Sequence, residues 1–202
     1  MAMDVFEAIE SRRSIRRFRP DPVSPEAVSV LLEAARLAPS TSNLQTWRFR
    51  LVEDERLRRT LREHALNQRF IEEAPLVIVC CADMHAFKDR LKRTLDLVTR
   101  GRLRPSLEMA LRLARAPKEG QEAEDRQIVN AAINVAIAVQ NMVLAAVELG
   151  LGTCWVRAFN QEAVAETLQL PPGVIPLFLL PVGYPAEQPR ARSRKSLADI
   201  MT

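Results

Sequence analysis

The sequence predicts a single α+β domain of 202 residues, in which strands and helices follow one another in no regular order. Three observations support this prediction. WRFRLV, residues 47–52, alternates apolar and basic side chains like a strand with one buried face. LVIVCCA, residues 76–82, is continuously apolar and typical of a central strand covered on both faces. Between such segments, apolar residues recur at helical spacing behind clear capping residues.

The first half of the chain contains three predicted helices. A short helix covers residues 4–11, with Val5, Ala8 and Ile9 on one side. Ser24 can cap the second, Pro25 fits its first turn, and this helix should stop near residue 39. A charged helix is expected over residues 54–66.

The second half begins with a charged, mostly helical excursion from the core, residues 85–125. From residue 126 a helix apolar nearly all round should end at Gly150, buried in the core or between subunits. The expected remainder is a strand at 152–159, a helix at 160–168, a strand region at 174–185 and a short helix in the basic tail. In that strand region, Pro176 and Pro181 predict a sheet edge or a bulge.

The charge balance argues against a broad nucleic-acid surface. Lys and Arg number 29 against 25 Asp and Glu, so the formal net charge is only +4. A protein that grips nucleic acid along a whole face must neutralise many phosphates and usually carries a larger excess. The basic surplus is therefore local.

Cysteine and histidine usage predicts neither disulfides nor a metal site. Cys80, Cys81 and Cys154 form an odd set that suits buried thiols in a reducing cytoplasm. His64 and His85 lie in no HExxH context, and no CxxC is present, so we expect no metal. The N-terminus lacks a signal-peptide pattern, and the longest apolar stretch contains too many polar residues for a lipid-exposed span, so we expect no membrane segment.

The stretch ESRRSIRRFRP, residues 10–20, concentrates five arginines within eight positions. It could be a solvated helix end, a nucleic-acid patch or an anion pocket, because guanidinium groups bind phosphate bidentately. The nucleic-acid alternative would favour interleaved aromatic residues, and only Phe18 is near. The polar loop PSTSNLQTW, residues 39–47, is either a capped turn or a surface for a planar heterocycle that needs several neutral hydrogen bonds.

Taken together, four motifs in order resemble the nitroreductase family, FMN-dependent oxidoreductases that are usually homodimers. RRSIRRF resembles the family's N-terminal phosphate motif, and PSTSNLQTW resembles its PSxxNxQPW loop. GLGTCWVRAF resembles the GLGTCWxxxF segment, and PVGYPAEQPRARSRK resembles the C-terminal GYP followed by basic residues. The motifs cover nearly the whole chain.

The resemblance implies which residues would bind FMN. Three groups would contribute: the arginine segment and tail at the phosphate, the polar loop at the flavin ring from the opposite subunit, and two further segments along the ring. These residues are Arg12, Arg13, Ser14, Arg16, Arg192 and Arg194; Pro39, Ser40, Thr41, Ser42, Asn43 and Gln45; and Asn67, Trp155, Val156, Arg157 and Ala158. Arg17 and Arg19 are expected to be surface charges paired with nearby acids.

The resemblance also implies a nitroreductase-like fold, with a mixed, mainly antiparallel sheet, in a domain-exchanged homodimer with FMN at the subunit interface. Its function would be ping-pong hydride transfer from NAD(P)H through flavin N5 to a nitroaromatic or quinone, with no catalytic side chain and a backbone amide near Arg157 at N5. The alternatives are a specialised flavin enzyme acting on one metabolite, or on flavin itself with oxygen, and a basic nucleic-acid-binding protein.

The chain departs from the family pattern in three places. Thr46 stands where proline commonly precedes the tryptophan, which we expect to loosen the loop. Arg157 and Ala158 stand where small or acidic residues are common, so a bulky cation should line the substrate side. The excursion at 85–125 is long, and in this family it serves as a lid or dimer arm.

Overall fold

The computed structural model describes residues 3–104, 106, 108 and 120–202. Its centre is an antiparallel sheet in the order β1-β2-β4-β3. The strands are β1 (Trp47–Val52), β2 (Leu76–Asp83), β3 (Gly152–Thr153) and β4 (Val174–Gly183). The helices are α1 (Val5–Ser11), α2 (Pro25–Arg36), α3 (Glu55–His64), α4 (Phe70–Glu73), α5 (Arg90–Thr99), α6 (Gln121–Glu148) and α7 (Gln161–Thr167). One isolated parallel bridge, between Ser14 and Thr153, makes the pairing mixed but mainly antiparallel, as expected.

Strand β2 is the buried centre of the sheet, which confirms the prediction from its continuous apolar run. All eight of its residues are buried, between β1 on one side and β4 on the other. Because side chains alternate along a strand, Ile78 and Cys80 face a core built with α2 and α6, whereas Val79 and Cys81 face a core built with α3, α4 and α7. Helices therefore cover both faces.

Strand β1 is an edge strand and only half buried. Trp47 and Val52 are buried, the side chains between them are at most partly covered, and Arg48 and Arg50 are exposed. Charged side chains on an exposed edge discourage pairing with other chains.

Strand β4 contains the irregularity that its prolines predicted. The pairing of β2 with β4 shifts between Cys80 and Cys81, where Cys80 lies opposite Phe178 and Cys81 lies opposite Pro176. A proline has no amide to donate to the ladder, so it is accommodated at such a bulge.

The predicted cap of α2 is present, and α3 also begins with a capping side chain. Ser24 accepts a hydrogen bond from the Ala27 amide at 3.2 Å and begins α2. The Asp54 carboxylate accepts from the Leu57 amide at 2.9 Å and begins α3. Each side chain satisfies an amide that the helix leaves without an internal partner.

Helix α6 begins at Gln121, earlier than the predicted residue 126, and Gly150 follows its end with a φ of 68°. Among the described helices, it alone is long and apolar enough to cross a membrane, over Glu122–Glu148. One face, including Val135, Val139 and Met142, is completely buried against α2 and the sheet, as in the core helix of a globular domain.

Three predicted elements differ from the structure. The expected strand at 152–159 is reduced to β3 and a single bridge between Val156 and Leu179. The tail forms a turn at 197–200 and no helix. The excursion contains α5, but its last residues belong to α6, and residues 105, 107 and 109–119 lie outside the described part of the chain.

Candidate functional site

The arginine segment is fixed in an extended conformation after α1. The Ile15 amide donates to the Thr153 carbonyl at 2.9 Å, and the Arg19 amide donates to the Tyr184 carbonyl at 2.8 Å. The Ala186 amide donates to the Arg17 carbonyl at 2.9 Å. The segment therefore lies between β3 and the chain that follows β4.

This arrangement brings the N-terminal arginines and the basic tail together. They line one cavity of about 430 Å³. Its charged lining consists of six arginines against two glutamates: Arg12, Arg13, Arg16, Arg190, Arg192 and Arg194, with Glu10 and Glu187. The cavity thus contains the complete set of side chains that the sequence assigned to a phosphate, together with Arg190, which was not assigned.

The cavity carries uncompensated positive charge. None of its six arginines forms an ion pair with another residue of the described chain. The Glu187 carboxylate instead accepts a hydrogen bond from the backbone amide of Arg16 and holds the tail against the arginine segment. Several unpaired guanidinium groups around one recess favour a multiply charged anion.

The arginines differ in how free they are. The Arg13 guanidinium donates to the carbonyls of Glu10 and Arg12, at 2.5 and 2.8 Å, and so caps the end of α1. Within the described chain the Ser14 hydroxyl has no partner, so it can donate to a bound anion. Arg19 pairs with Asp21 at 3.4 Å and lies over the Tyr184 ring at 4.9 Å, as a surface charge.

Arg17 only partly follows the prediction. Its side chain is exposed, as expected, but it forms no ion pair with a described residue. Its contribution is made by its carbonyl, which accepts from the Ala186 amide.

Gly152 permits the close packing behind the arginine segment. A Cβ at this position would lie 2.6 Å from Cγ1 of Ile15, closer than carbon atoms normally approach. Ile15 is buried between two arginine-bearing stretches, so this contact sets how far the segment stands from β3. The sequence analysis used Gly150 as a helix end and GLGTCWVRAF as a family motif, and it missed this packing role of Gly152.

Asn67 lies on a strained turn between α3 and α4. Leu66 and Asn67 have φ values of 54° and 53°, in the left-handed region that non-glycine residues rarely adopt. Glu72 of α4 binds Arg59 and Arg62 of α3 at 2.9 and 2.7 Å and clamps the two helices around the turn. The hydrogen bond from Arg59, supported by the charge of Arg62, lowers the pKa of Glu72.

The turn is linked to the arginine cavity by Phe70, over whose ring the Arg16 guanidinium lies at 5.8 Å. The segment Trp155 to Ala158 leads to Asn160, whose amide donates to the carbonyl of His64 at 2.9 Å, shortly before the turn. Val156 pairs with Leu179 through two backbone hydrogen bonds, of 2.9 and 3.0 Å, while Arg157 and Ala158 are exposed.

The Arg157 amide forms no hydrogen bond with any described residue, so its N–H can bind a ligand. Nearby Cys154 is not a nucleophile candidate. Burial raises the pKa of its thiol, and the charge of Arg16 opposes this only in part.

The polar loop is also strained. Ser42, Asn43 and Gln45 have φ values of 51°, 53° and 51°. Together with Leu66 and Asn67 they account for five of the six non-glycine residues with positive φ in the described chain. Such strain collects at functional sites, and here it coincides with two segments chosen from the sequence for a different reason.

Contacts within the loop stabilise its unusual shape. The Gln45 amide donates to the Ser40 hydroxyl at 3.0 Å, and the Gln45 side chain donates to the Asn43 side chain at 3.0 Å. Thr94 of α5 donates to the Ser42 hydroxyl at 3.4 Å. Pro39 and Thr41 are exposed.

Asn134 anchors the loop, and the sequence analysis missed it. This side chain on α6 is 1 % exposed, accepts from the Thr41 amide at 3.0 Å and donates to the Thr46 hydroxyl at 3.3 Å. The expectation that Thr46 loosens the loop is therefore wrong, because a proline would lack the hydroxyl that Asn134 binds. A polar residue in an otherwise apolar helix was the available signal.

Within one chain, the loop and the arginine cavity are separate. None of the six loop residues assigned to the flavin ring lines the cavity. The loop lies instead against α5 and α6. The residues predicted to hold one ligand therefore form two groups in the described part of a single copy.

Comparisons with known proteins find related sequences and structures. Residues 9–184 match the description "Nitroreductase family". A Thermus thermophilus protein named NADH dehydrogenase is 37 % identical over 186 residues, which are 92 % of this chain and 89 % of that protein. A Bacillus subtilis protein named FMN reductase [NAD(P)H] is 29 % identical over 193 residues, 95 % of this chain and 70 % of that protein.

The fold matches as well. A putative nitroreductase from Exiguobacterium sibiricum, solved in complex with FMN, superposes with a TM-score of 0.80. The match covers 100 % of this chain and 98 % of the other at 24 % identity.

Proposed function

The chain belongs to the nitroreductase family, and on this premise we propose that it is an FMN-dependent oxidoreductase that transfers electrons from NAD(P)H to a nitroaromatic or quinone. Its enzymatic class, FMN and NAD(P)H follow from relatives named FMN reductase and from the FMN-bound structural neighbour. The single observation that carries the proposal is the cavity of unpaired arginines.

In this proposal the arginine cavity holds the FMN phosphate. Arg12, Arg16, Arg192 and Arg194 supply charge-assisted hydrogen bonds, and Ser14 supplies a hydroxyl donor. Arg13 shapes the site mainly through its backbone, because its guanidinium is already engaged by α1. The pocket thus fits a phosphate by charge and by donor type.

The ring would lie along the surface that begins at Arg16 and continues past Asn67 and residues 155–158. Neutral donors suit an uncharged heterocycle, and the free Arg157 amide is the donor we assign to N5. Bound FMN would accept a hydride and pass it on, so no catalytic acid or base is required of the chain. We propose a ping-pong cycle in which NAD(P)H and the acceptor use the same face in turn.

We propose that the active enzyme is a homodimer, since the polar loop would then complete the site of the other subunit. Its support is the apolar surface that one copy leaves exposed. Along α6, Val129, Ile133 and Ile137 are 58, 51 and 37 % exposed, and Phe6 of α1 is 74 % exposed. Exposed apolar residues at this spacing form a continuous stripe, which is costly in water.

The tail offers a second apolar surface, because Leu197, Ile200 and Met201 are more than half exposed. In the proposed dimer this tail docks on the partner. The three cysteines, all free and buried, support the proposal of a reducing cytoplasm.

The decisive test is the absorption spectrum of the purified protein and its titration with FMN. We expect the two visible bands of oxidised flavin. Arg16→Ala should weaken FMN binding by about 1.5 to 3 kcal/mol, roughly 10- to 150-fold, because it removes a charge-assisted contact. Arg17→Ala is the matched control: it removes an equal charge from a side chain that does not line the cavity.

Two results would contradict the proposal. Equal FMN affinity in Arg16→Ala and the unaltered protein would disprove the phosphate assignment. A colourless protein that takes up no added FMN, yet binds RNA or DNA with a steep salt dependence, would favour the nucleic-acid alternative.

A further inference from the structure

The Arg157 side chain carries a positive charge that no described residue binds. Its side chain is exposed, and it forms neither an ion pair nor a side-chain hydrogen bond with a described residue. Its backbone, by contrast, is held on both sides. Val156 pairs with Leu179, and the Asn160 amide donates to the His64 carbonyl at 2.9 Å. A rigid backbone therefore presents a free guanidinium to solvent.

The position of Arg157 relative to the arginine cavity follows from two chain segments. Arg16 lies over Phe70, which follows the Asn67 turn, and the charge of Arg16 also reaches the thiol of Cys154. One segment runs from Phe70 back to His64, and the other runs from Cys154 forward to Asn160. The two meet where the Asn160 amide donates to the His64 carbonyl. They border one surface that starts at the phosphate cavity.

Arg157 lies along this surface, away from the cavity. It follows Cys154 by three positions, and three residues of extended chain span roughly 10 Å. Arg157 does not line the arginine cavity, so its charge is additional to the six arginines there. In the proposed function it would lie on the side of the ring and the second substrate.

Resting on the proposed function, we propose that Arg157 is a specificity-determining residue that selects electron acceptors carrying a carboxylate or sulfonate. The planar guanidinium binds such groups bidentately. Since no described residue neutralises it, an acceptor anion does not have to displace an existing partner. A cation at a solvent-exposed site adds a modest preference, about fivefold, which salt should reduce.

The test compares 4-nitrobenzoate with 4-nitrobenzamide, an anionic and a neutral acceptor of similar shape, on the FMN-loaded enzyme. The quantity measured is the ratio of their kcat/KM values, at low and at high ionic strength. We expect Arg157→Gln to lower this ratio about fivefold at low salt and hardly at all at high salt. Arg157→Lys should restore part of the ratio, and Arg157→Glu should lower it further.

The control variant is Arg56→Gln, which removes one exposed charge from α3 without touching the proposed site. A ratio that is the same in Arg157→Gln as in the unaltered enzyme would overturn the inference, as would an equal fall in Arg56→Gln. A change confined to the preference for NADPH over NADH would also overturn it, because Arg157 would then bind the extra phosphate of NADPH.

The inference and the proposed function fail differently. If the purified protein neither retains FMN nor reduces 4-nitrobenzamide, the proposed function is wrong. If it does both and only the charge ratio is insensitive to Arg157, the function stands and this inference alone is wrong.

Discussion

Replacing Asn134 with leucine tests how the polar loop is held. The substitution retains a side chain of similar size on α6 but removes the three hydrogen bonds that Asn134 makes to the loop. The lost partners are the Thr41 amide and the Thr41 hydroxyl, 3.0 and 3.4 Å from Oδ1, and the Thr46 hydroxyl, 3.3 Å from Nδ2. Thr46 is 0 % exposed, so no water can replace Asn134 there without a rearrangement.

The cost can be worked out from these contacts. A buried polar group left without a partner loses about 1 to 3 kcal/mol. The Thr46 hydroxyl incurs most of that cost, whereas the Thr41 amide lies nearer the surface and can bind water. We therefore expect Asn134→Leu to lower the free energy of unfolding by about 2 to 3 kcal/mol.

The assay is urea unfolding at fixed protein and FMN concentrations, because FMN binding and dimerisation both contribute to stability. Thr46→Val and the double variant complete a mutant cycle. Since the double variant leaves neither partner unsatisfied, its loss should be smaller than the sum of the single losses by about 1 kcal/mol. Val139→Ala, also on α6 and completely buried, should cost about 2 kcal/mol without touching the loop.

FMN affinity then separates the loop from general stability. Asn134→Leu should weaken FMN binding, and Val139→Ala should leave it nearly unchanged although both variants lose similar stability. Additive losses in the cycle would show that Asn134 and Thr46 do not interact. Equal FMN affinities in Asn134→Leu and Val139→Ala would refute the role of the loop.

Three further outcomes are expected. Gly152→Ala should weaken FMN binding, because the added Cβ would displace Ile15 and with it the arginine segment. FMN titration measures the affinity, and an unchanged affinity would disprove the packing role of Gly152. Burial raises the pKa of Cys81 from 9.0 to about 12, so the thiol ionises first in the unfolded chain. Between those pH values the contribution of Cys81 to stability should fall by about 1.4 kcal/mol per pH unit. In urea unfolding at pH 8 to 10.5, the free energy of unfolding should therefore fall less steeply with pH in Cys81→Ala than in the unaltered protein, and identical slopes would contradict this. Ile133→Lys should shift sedimentation toward a monomer while Ile133→Val does not, and a stable monomer loaded with FMN in the unaltered protein would refute the shared site.

The fold could be predicted from short patterns because its strongest elements depend on local chemistry. The alternation in residues 47–52 and the apolar run in 76–82 identified β1 and the central position of β2. The Ser24 side-chain oxygen, three residues ahead of the Ala27 amide, identified the start of α2. Elements supported by weaker local preference were predicted less well, since residues 154–159 are held mainly by one bridge to Leu179.

The candidate site shows the same division. Residue type left several interpretations open for Arg12 to Arg16 and for the loop at 39–45. The resemblance to the nitroreductase family assigned these residues and the tail arginines to FMN. The link between the first and last of these groups depends on Glu187 and on the close packing of Gly152 against Ile15. Contacts between residues so far apart in the chain leave no periodic signal.

Asn134 is the clearest case of a role that only folding creates. In the sequence it is one amide in an apolar helix. Its role depends on hydrogen bonds to Thr41 and Thr46, which precede it by 93 and 88 residues. Local propensity and side-chain chemistry thus identified the elements, and the resemblance to the family indicated the ligand class. Which cations share a cavity, which loop is strained and what holds it follow from long-range packing, since hydrogen-bond geometry is defined only when distant segments meet.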